Sequence, residues 1–168
     1  MAAAVATYNQ TNIELTKNVI KKVQNEASAN PRKPLGIIPF KTKAFAVVAT
    51  QVDDVGDETY GIIAPPNCLL GDLYITFTDM DSHVSPTLEV RLQAQTAGGT
   101  ETVLSAATTI GAAATTVAMQ NSSKFSDVSS QYLGFEVTGA AATFAAGTFT
   151  MFGYFIVGTE NKGYAKFN

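Results

Sequence analysis

The chain has 168 residues, enough for one domain, and a fold of that size buries roughly 70% of the surface its unfolded chain exposes. Hydrophobic residues make up 46% of it, including 10 Phe and 6 Tyr, while charged residues reach only 15%, well below the roughly 25% usual in soluble domains. The single cysteine, Cys68, excludes an intrachain disulfide and the multi-cysteine zinc patterns, and the sparse charge, net −3 at pH 7, favours a surface packed against neighbours over that of a free monomer.

The chain opens Met-Ala-Ala-Ala-Val-Ala-Thr, with no basic segment and no apolar run of signal-peptide length, so no secretory leader is expected. Residues 11 to 29 carry the one helical pattern. Ile13, Val19, Ile20, Val23 and Ala27 fall near one face, with Lys17, Lys21 and Lys22 largely elsewhere. Thr11 and Glu14 have capping-box spacing, in which hydroxyl and carboxylate satisfy free amides of the first turn. Asn30-Pro31 ends the helix, because the proline ring disfavours helical geometry in the residue before it. Pro31, Pro34 and Pro39 then punctuate an extended linker, so residues 1–43 read as an arm and residues 44–168 as a body.

In the body the period is two. Ala44 to Val52 reads as the first strand. Further strands are expected at 59–64, 72–78, 88–95, 100–105, 114–119, 132–138 and 147–158, separated by clusters of Gly, Pro, Asp, Asn and Ser. Residues 88–95 alternate most cleanly, with Leu88, Val90, Leu92 and Ala94 on one face and Glu89, Arg91, Gln93 and Gln95 on the other. The last run has large apolar groups on both faces beyond Met151, so it belongs in the middle of a sheet and is covered on both sides. Stretches 106–116 and 139–147 are rich in Ala, Gly and Thr, and are too apolar for ordinary exposed loops. Seven or eight short strands make a single antiparallel β-sandwich. No stretch approaches the roughly 20 apolar residues of a membrane-spanning helix, and no membrane partner is expected.

Charge is divided unevenly. Residues 1–43 hold seven basic residues against Glu14 and Glu26, a net of +5, and residues 44–168 hold four basic against twelve acidic residues, a net of −8. A basic arm ahead of an acidic body suits an arm that reaches onto an acidic surface. Nucleic acid is disfavoured as that surface, because the arm has little Arg and only Tyr8 and Phe40 to stack on bases.

Catalysis finds little support. His83 is the sole histidine, no serine lies in a G-x-S-x-G context, and neither phosphate-cradling glycine pattern occurs, so no enzyme, small-molecule substrate or cofactor is expected. Cys68, after Pro65-Pro66-Asn67, reads as a small apolar residue entering a strand. Thr78-Asp79-Met80-Asp81-Ser82-His83 is the most polar knot in the chain. Asp79 and Asp81 are weak candidates for a hard cation, but a calcium loop needs about six oxygen ligands, and a turn in which Asp and Ser bond nearby amides fits better. Asp53 to Glu58 reads likewise as a solvated turn.

The unit Gly71-Asp72-Leu73-Tyr74-Ile75-Thr76-Phe77-Thr78-Asp79-Met80-Asp81-Ser82, the strand Leu88 to Ala94 and the closing Ala145 to Phe152 resemble the small β-sandwich virion proteins of tailed bacteriophages, of decoration, cement or head-fibre type. The resemblance covers most of residues 60–158 and implies a jelly-roll-like sandwich. Such a body sits on the outer surface of the capsid after synthesis in the host cytoplasm, binds the major capsid protein, assembles as a homo-oligomer, often a trimer, and catalyses nothing.

On this reading the arm docks onto capsid or sister subunits through Ile13, Ile20 and Val23 and the charges of Lys17, Lys21, Lys22, Arg32 and Lys33. The competing class is a jelly-roll module of a fibre or tail that binds host-surface carbohydrate through exposed Tyr and Asn or Asp side chains, in one version with a metal at Asp79 and Asp81. The absence of Trp weighs against it, since sugar sites favour large aromatic platforms.

Overall fold

Two faces of a strand with different partners need two layers, and the body supplies them. The computed structural model describes residues 4–5, 36–64, 68–96, 98–111, 115–120 and 131–157. Eleven strands run through these residues. They are β1 (Ala4–Val5), β2 (Gly36–Lys41), β3 (Phe45–Val47), β4 (Glu58–Ala64), β5 (Cys68–Phe77), β6 (Glu89–Thr96), β7 (Glu101–Val103), β8 (Thr108–Thr109), β9 (Thr115–Ala118), β10 (Gln131–Gly139) and β11 (Gly147–Val157). The first sheet has the order β1-β4-β10-β6-β7, with β8 also on β6, and the second has the order β2-β11-β5-β9, with β3 also on β11. Every pairing is antiparallel except that of β1, which lies parallel to β4 with Ala4 opposite Thr59 and Val5 opposite Tyr60.

The core lies between the sheets. Val90, Leu92 and Ala94 of β6 and Leu133, Phe135 and Val137 of β10 are buried from one side, and Leu73, Ile75 and Phe77 of β5 with Phe149, Met151 and Phe155 of β11 from the other. Phe135 joins the layers, its ring edge-on to Phe77 at 5.1 Å and to Phe149 at 5.2 Å between centroids, a favoured aromatic geometry. β4 passes close over the second sheet at Gly61, where a Cβ would strike the Met151 sulfur and the rings of Phe149 and Phe45.

The expected strands from residue 59 onward are all present, with ends moved by a few residues. β11 is central, as its apolar content implies, with β2 and β3 on one side and β5 on the other. Its cover is one-sided among the described residues: Phe149, Met151 and Phe155 are buried, while Phe152, Tyr154 and Ile156 are half-buried on the outer face. The first strand differs from expectation. Strand structure stops at Val47 and the chain turns through one 3-10 turn at Ala49–Gln51, where Gln51 Oε1 accepts the Val48 N–H at 2.9 Å.

The sheet also begins earlier than residue 44, because Gly36–Lys41, read as linker, pairs along β11 from Val157 to Phe152. Pro39 masked this strand. It is tolerated because β2 lies at the edge of its sheet, where a missing N–H breaks no ladder on the free side. The expected helix at 11–29 lies outside the described residues.

Candidate assembly surface

The polar knot after β5 is built around one carboxylate. Asp81 is fully buried, and both its oxygens are taken by backbone amides. Oδ2 accepts the N–H groups of Thr87 at 2.8 Å, Ala142 at 3.0 Å and Leu88 at 3.1 Å. Oδ1 accepts those of Thr143 at 2.9 Å and His83 at 3.3 Å. Burial alone would push this carboxyl up, but the amides of Thr143, Ala142, Thr87 and Leu88 outweigh it and hold Asp81 well below the usual carboxylate range.

The Asp81 N–H is in turn accepted by Asp79 Oδ1 at 3.1 Å. The turn reading therefore describes the local half of the knot. The other half comes from the 139–147 stretch, whose Ala141 and Phe144 pack on the core and account for its apolar composition. With five amides on Asp81, its carboxylate is spent on structure rather than on a cation, and no group of three or more His, Cys, Asp or Glu able to hold a metal occurs among the described residues.

The turn at Asp53 to Asp57 follows its sequence reading: Asp57 Oδ2 accepts the Asp54 N–H at 3.0 Å, and Gly56 sits at φ 93°, a conformation open chiefly to glycine.

The outer face of the first sheet is polar and acidic. Among the described residues, Glu58 of β4, Glu136 of β10, Glu89 of β6 and Glu101 of β7 share it with one cation, Arg91, which pairs with Glu136 at 2.6 Å. Here the simple wet-face reading of β6 fails, for Gln93 is fully buried. Its Nε2 donates to Tyr60 Oη at 2.7 Å and to Glu58 Oε1 at 2.9 Å, while Gln95 Nε2 reaches Glu58 Oε2 at 3.3 Å and Glu101 Oε1 at 3.4 Å. Burial first, and the Glu58 charge second, push the Tyr60 phenol up. Gln93 Oε1 is buried with no hydrogen-bond partner.

The outer face of the second sheet is aromatic. Tyr74 and Phe152 lie opposite each other on β5 and β11 and stack at 5.1 Å with rings 10° apart. Asp72, opposite Tyr154, raises the pKa of that phenol first by its charge. Ile37 on the neighbouring edge strand is 65% exposed. The sequence-derived arm residues Ile13, Lys17, Ile20, Lys21, Lys22, Val23, Arg32 and Lys33 all lie outside the described residues. Gln93 and the long-range partners of Asp81 were not found from sequence, since no local pattern distinguishes a sheltered Gln from an exposed one or an amide donor 61 residues away.

Neither a family model nor a curated protein matches the chain. A chain from the capsid of Ralstonia phage GP4 is similar in structure, with a TM-score of 0.56 and 22% identity, over 76% of this chain and 86% of that one. The two share a fold. A chain of the cyanophage Pam1 capsid asymmetric unit gives a TM-score of 0.47 and 13% identity, over 73% of this chain and 84% of that one. The likeness to phage virion proteins read from the strand-and-turn units is met, at the level of architecture, by the fold shared with the Ralstonia phage GP4 chain.

Proposed function

We propose that this protein is a non-enzymatic structural component of a tailed-phage virion that decorates or cements the outside of the head. It binds the major capsid protein and sister subunits, with a trimer as the expected oligomer. The observation that carries this reading is the fold shared with a chain from the capsid of Ralstonia phage GP4 over most of the length of both. The strand order supports it too, since successive segments cross between the sheets in the double Greek-key manner of a jelly roll, an architecture common in capsid and lectin domains.

Attachment is assigned to the basic arm, whose apolar positions Ile13, Ile20 and Val23 and charges Lys17, Lys21 and Lys22 together make binding both apolar and salt-sensitive. A sugar-binding module on the same architecture has less support, because the metal-assisted version of it needs Asp81, and Asp81 is engaged by five amides.

The test is co-sedimentation with heads that lack the protein. The full chain is expected to pellet with them. A chain without residues 1–30 is expected to keep its β-sheet circular dichroism and stay in the supernatant, and undiminished pelleting of that variant rejects the assignment.

A further inference from the structure

The two outer faces of the sandwich are not equally open to a second copy of the chain. Among the described residues, the face of the first sheet sets Glu58, Glu89, Glu101 and Glu136 against Arg91, so two such faces repel each other. The face of the second sheet carries little charge. Tyr74, Phe152, Tyr154 and Ile156 cover β5 and β11, all half-buried, and exposed Ile37 continues the surface onto β2, opposite Ile156. Aromatic residues around a centre poor in charge are the composition of a protein contact.

The charges that this face does carry stand on opposite flanks. Lys41 lies beside Phe152 on β2, with exposed Lys43 two residues on, and Asp72 lies beside Tyr154 on β5. Lys41 has no acidic partner among the described residues. The rings between the flanks are already set. Paired strands lie about 4.8 Å apart, so the Tyr74–Phe152 stack at 5.1 Å stands both rings upright with their edges outward. The Tyr154 ring rests on Gly71, where a Cβ would collide with it. Rings held in this way lose little freedom on association, and their upright edges form a ridge for a second protein surface rather than a flat platform for a sugar. Pro39 leaves the free edge of β2 one N–H short, which disfavours strand-to-strand addition and directs contact to the face.

We propose that the outer face of the second sheet, from Ile37 and Lys41 on β2 to Tyr74 and Asp72 on β5, is the surface on which a second copy of this chain docks. In a closed ring each copy sets its β2 flank against the β5 flank of the next, so Lys41 and Lys43 meet Asp72 of that next copy while the aromatic ridge faces the axis. The count of three copies rests on the proposed function, whereas the choice of face rests on the charge and ring geometry of this sheet.

Charge exchange in the full chain tests it, with mass read by light scattering at low salt. The unaltered chain is expected to give the mass of three chains. Lys41→Glu/Lys43→Glu, and separately Asp72→Lys, set like charges across every contact, and each is expected to raise the concentration at which the oligomer dissociates by about tenfold or more. All three substitutions in one chain restore opposite charges and are expected to restore the mass, a rescue that a folding defect at Asp72 would not give. A benzophenone side chain at Ile37, which requires no change at Asp72, is expected on illumination of mixed unlabelled and 15N-labelled chains to join β2 of one isotope to β5 or β11 of the other.

Three results overturn the inference: single reversals that leave the mass at three chains, a folded combined variant that dissociates as readily as the single ones, or Ile37 links confined to one isotope, which would make the chain's own residues the cover of this face. A monomer at every concentration sinks the face and the trimer together. Head co-sedimentation keeps the capsid assignment separate. Lost pelleting of the unaltered chain with the rescue intact sinks that assignment alone, and retained pelleting with a mass indifferent to the reversals sinks the face alone.

Discussion

Asp81 shows how much one side chain can organise. Its carboxylate ties together the turn at His83, the entry to β6 at Thr87 and Leu88, and the 139–147 segment through Ala142 and Thr143. Hydrogen bonds to a buried charge are each worth about 1.5–3 kcal/mol, so Asp81→Asn, which turns an NH2 group toward amide donors, is expected to cost about 3 kcal/mol or more in urea unfolding at pH 7.

The pH dependence follows from the sign of the shift. The folded carboxyl lies below its unfolded value, so the stability it gives is present above about pH 4 and drains away as pH falls below that toward the folded value. Asp81→Asn is expected to flatten that acid limb of the stability curve. An acid limb as steep as that of the unaltered protein would show that Asp81 is not its source.

Among the elements, β10 and β11 hold the layers together through Phe135, which meets Phe77 and Phe149 edge-on from the opposite sheet. Truncation to Phe135→Ala opens a cavity where neither sheet can collapse freely, with an expected loss of about 3–5 kcal/mol in thermal or denaturant unfolding.

Legibility from sequence was uneven for physical reasons. β6 could be read directly because Val90, Leu92 and Ala94 alternate with polar residues, and that contrast is the imprint of one buried face. β11 could be placed centrally because its apolar residues fall on both faces. β2 was hidden by Pro39, a residue that denies a central strand but not an edge strand. The Asp81 network was half legible: its link to His83 is local, whereas its links to Ala142 and Thr143 depend on how two distant loops meet. The arm's period and charge were plain in the sequence, and its role rests on the experiments above.

At the scale of the whole molecule, a weakly charged surface with an aromatic outer face on one sheet and an acidic outer face on the other suits a subunit with neighbours on more than one side. If the capsid reading holds, pelleting with heads is expected to weaken steeply as salt rises from about 0.1 M to about 1 M, since exposed charge pairs are screened over that range. Light scattering is expected to return the mass of three chains in solution, and a monomer at every concentration would remove the trimer from the proposal.

The crossing of successive strands between layers also governs how the molecule is made. The second sheet cannot close until Gly147–Val157 has been synthesised, because β2, β3 and β5 all hydrogen-bond to that late segment and, among the described residues, β2 is bonded to no other strand. Contacts of such long sequence separation fold slowly. A nascent chain therefore carries unpaired strand edges until most of it has left the ribosome, and edges of that kind invite aggregation until they are paired.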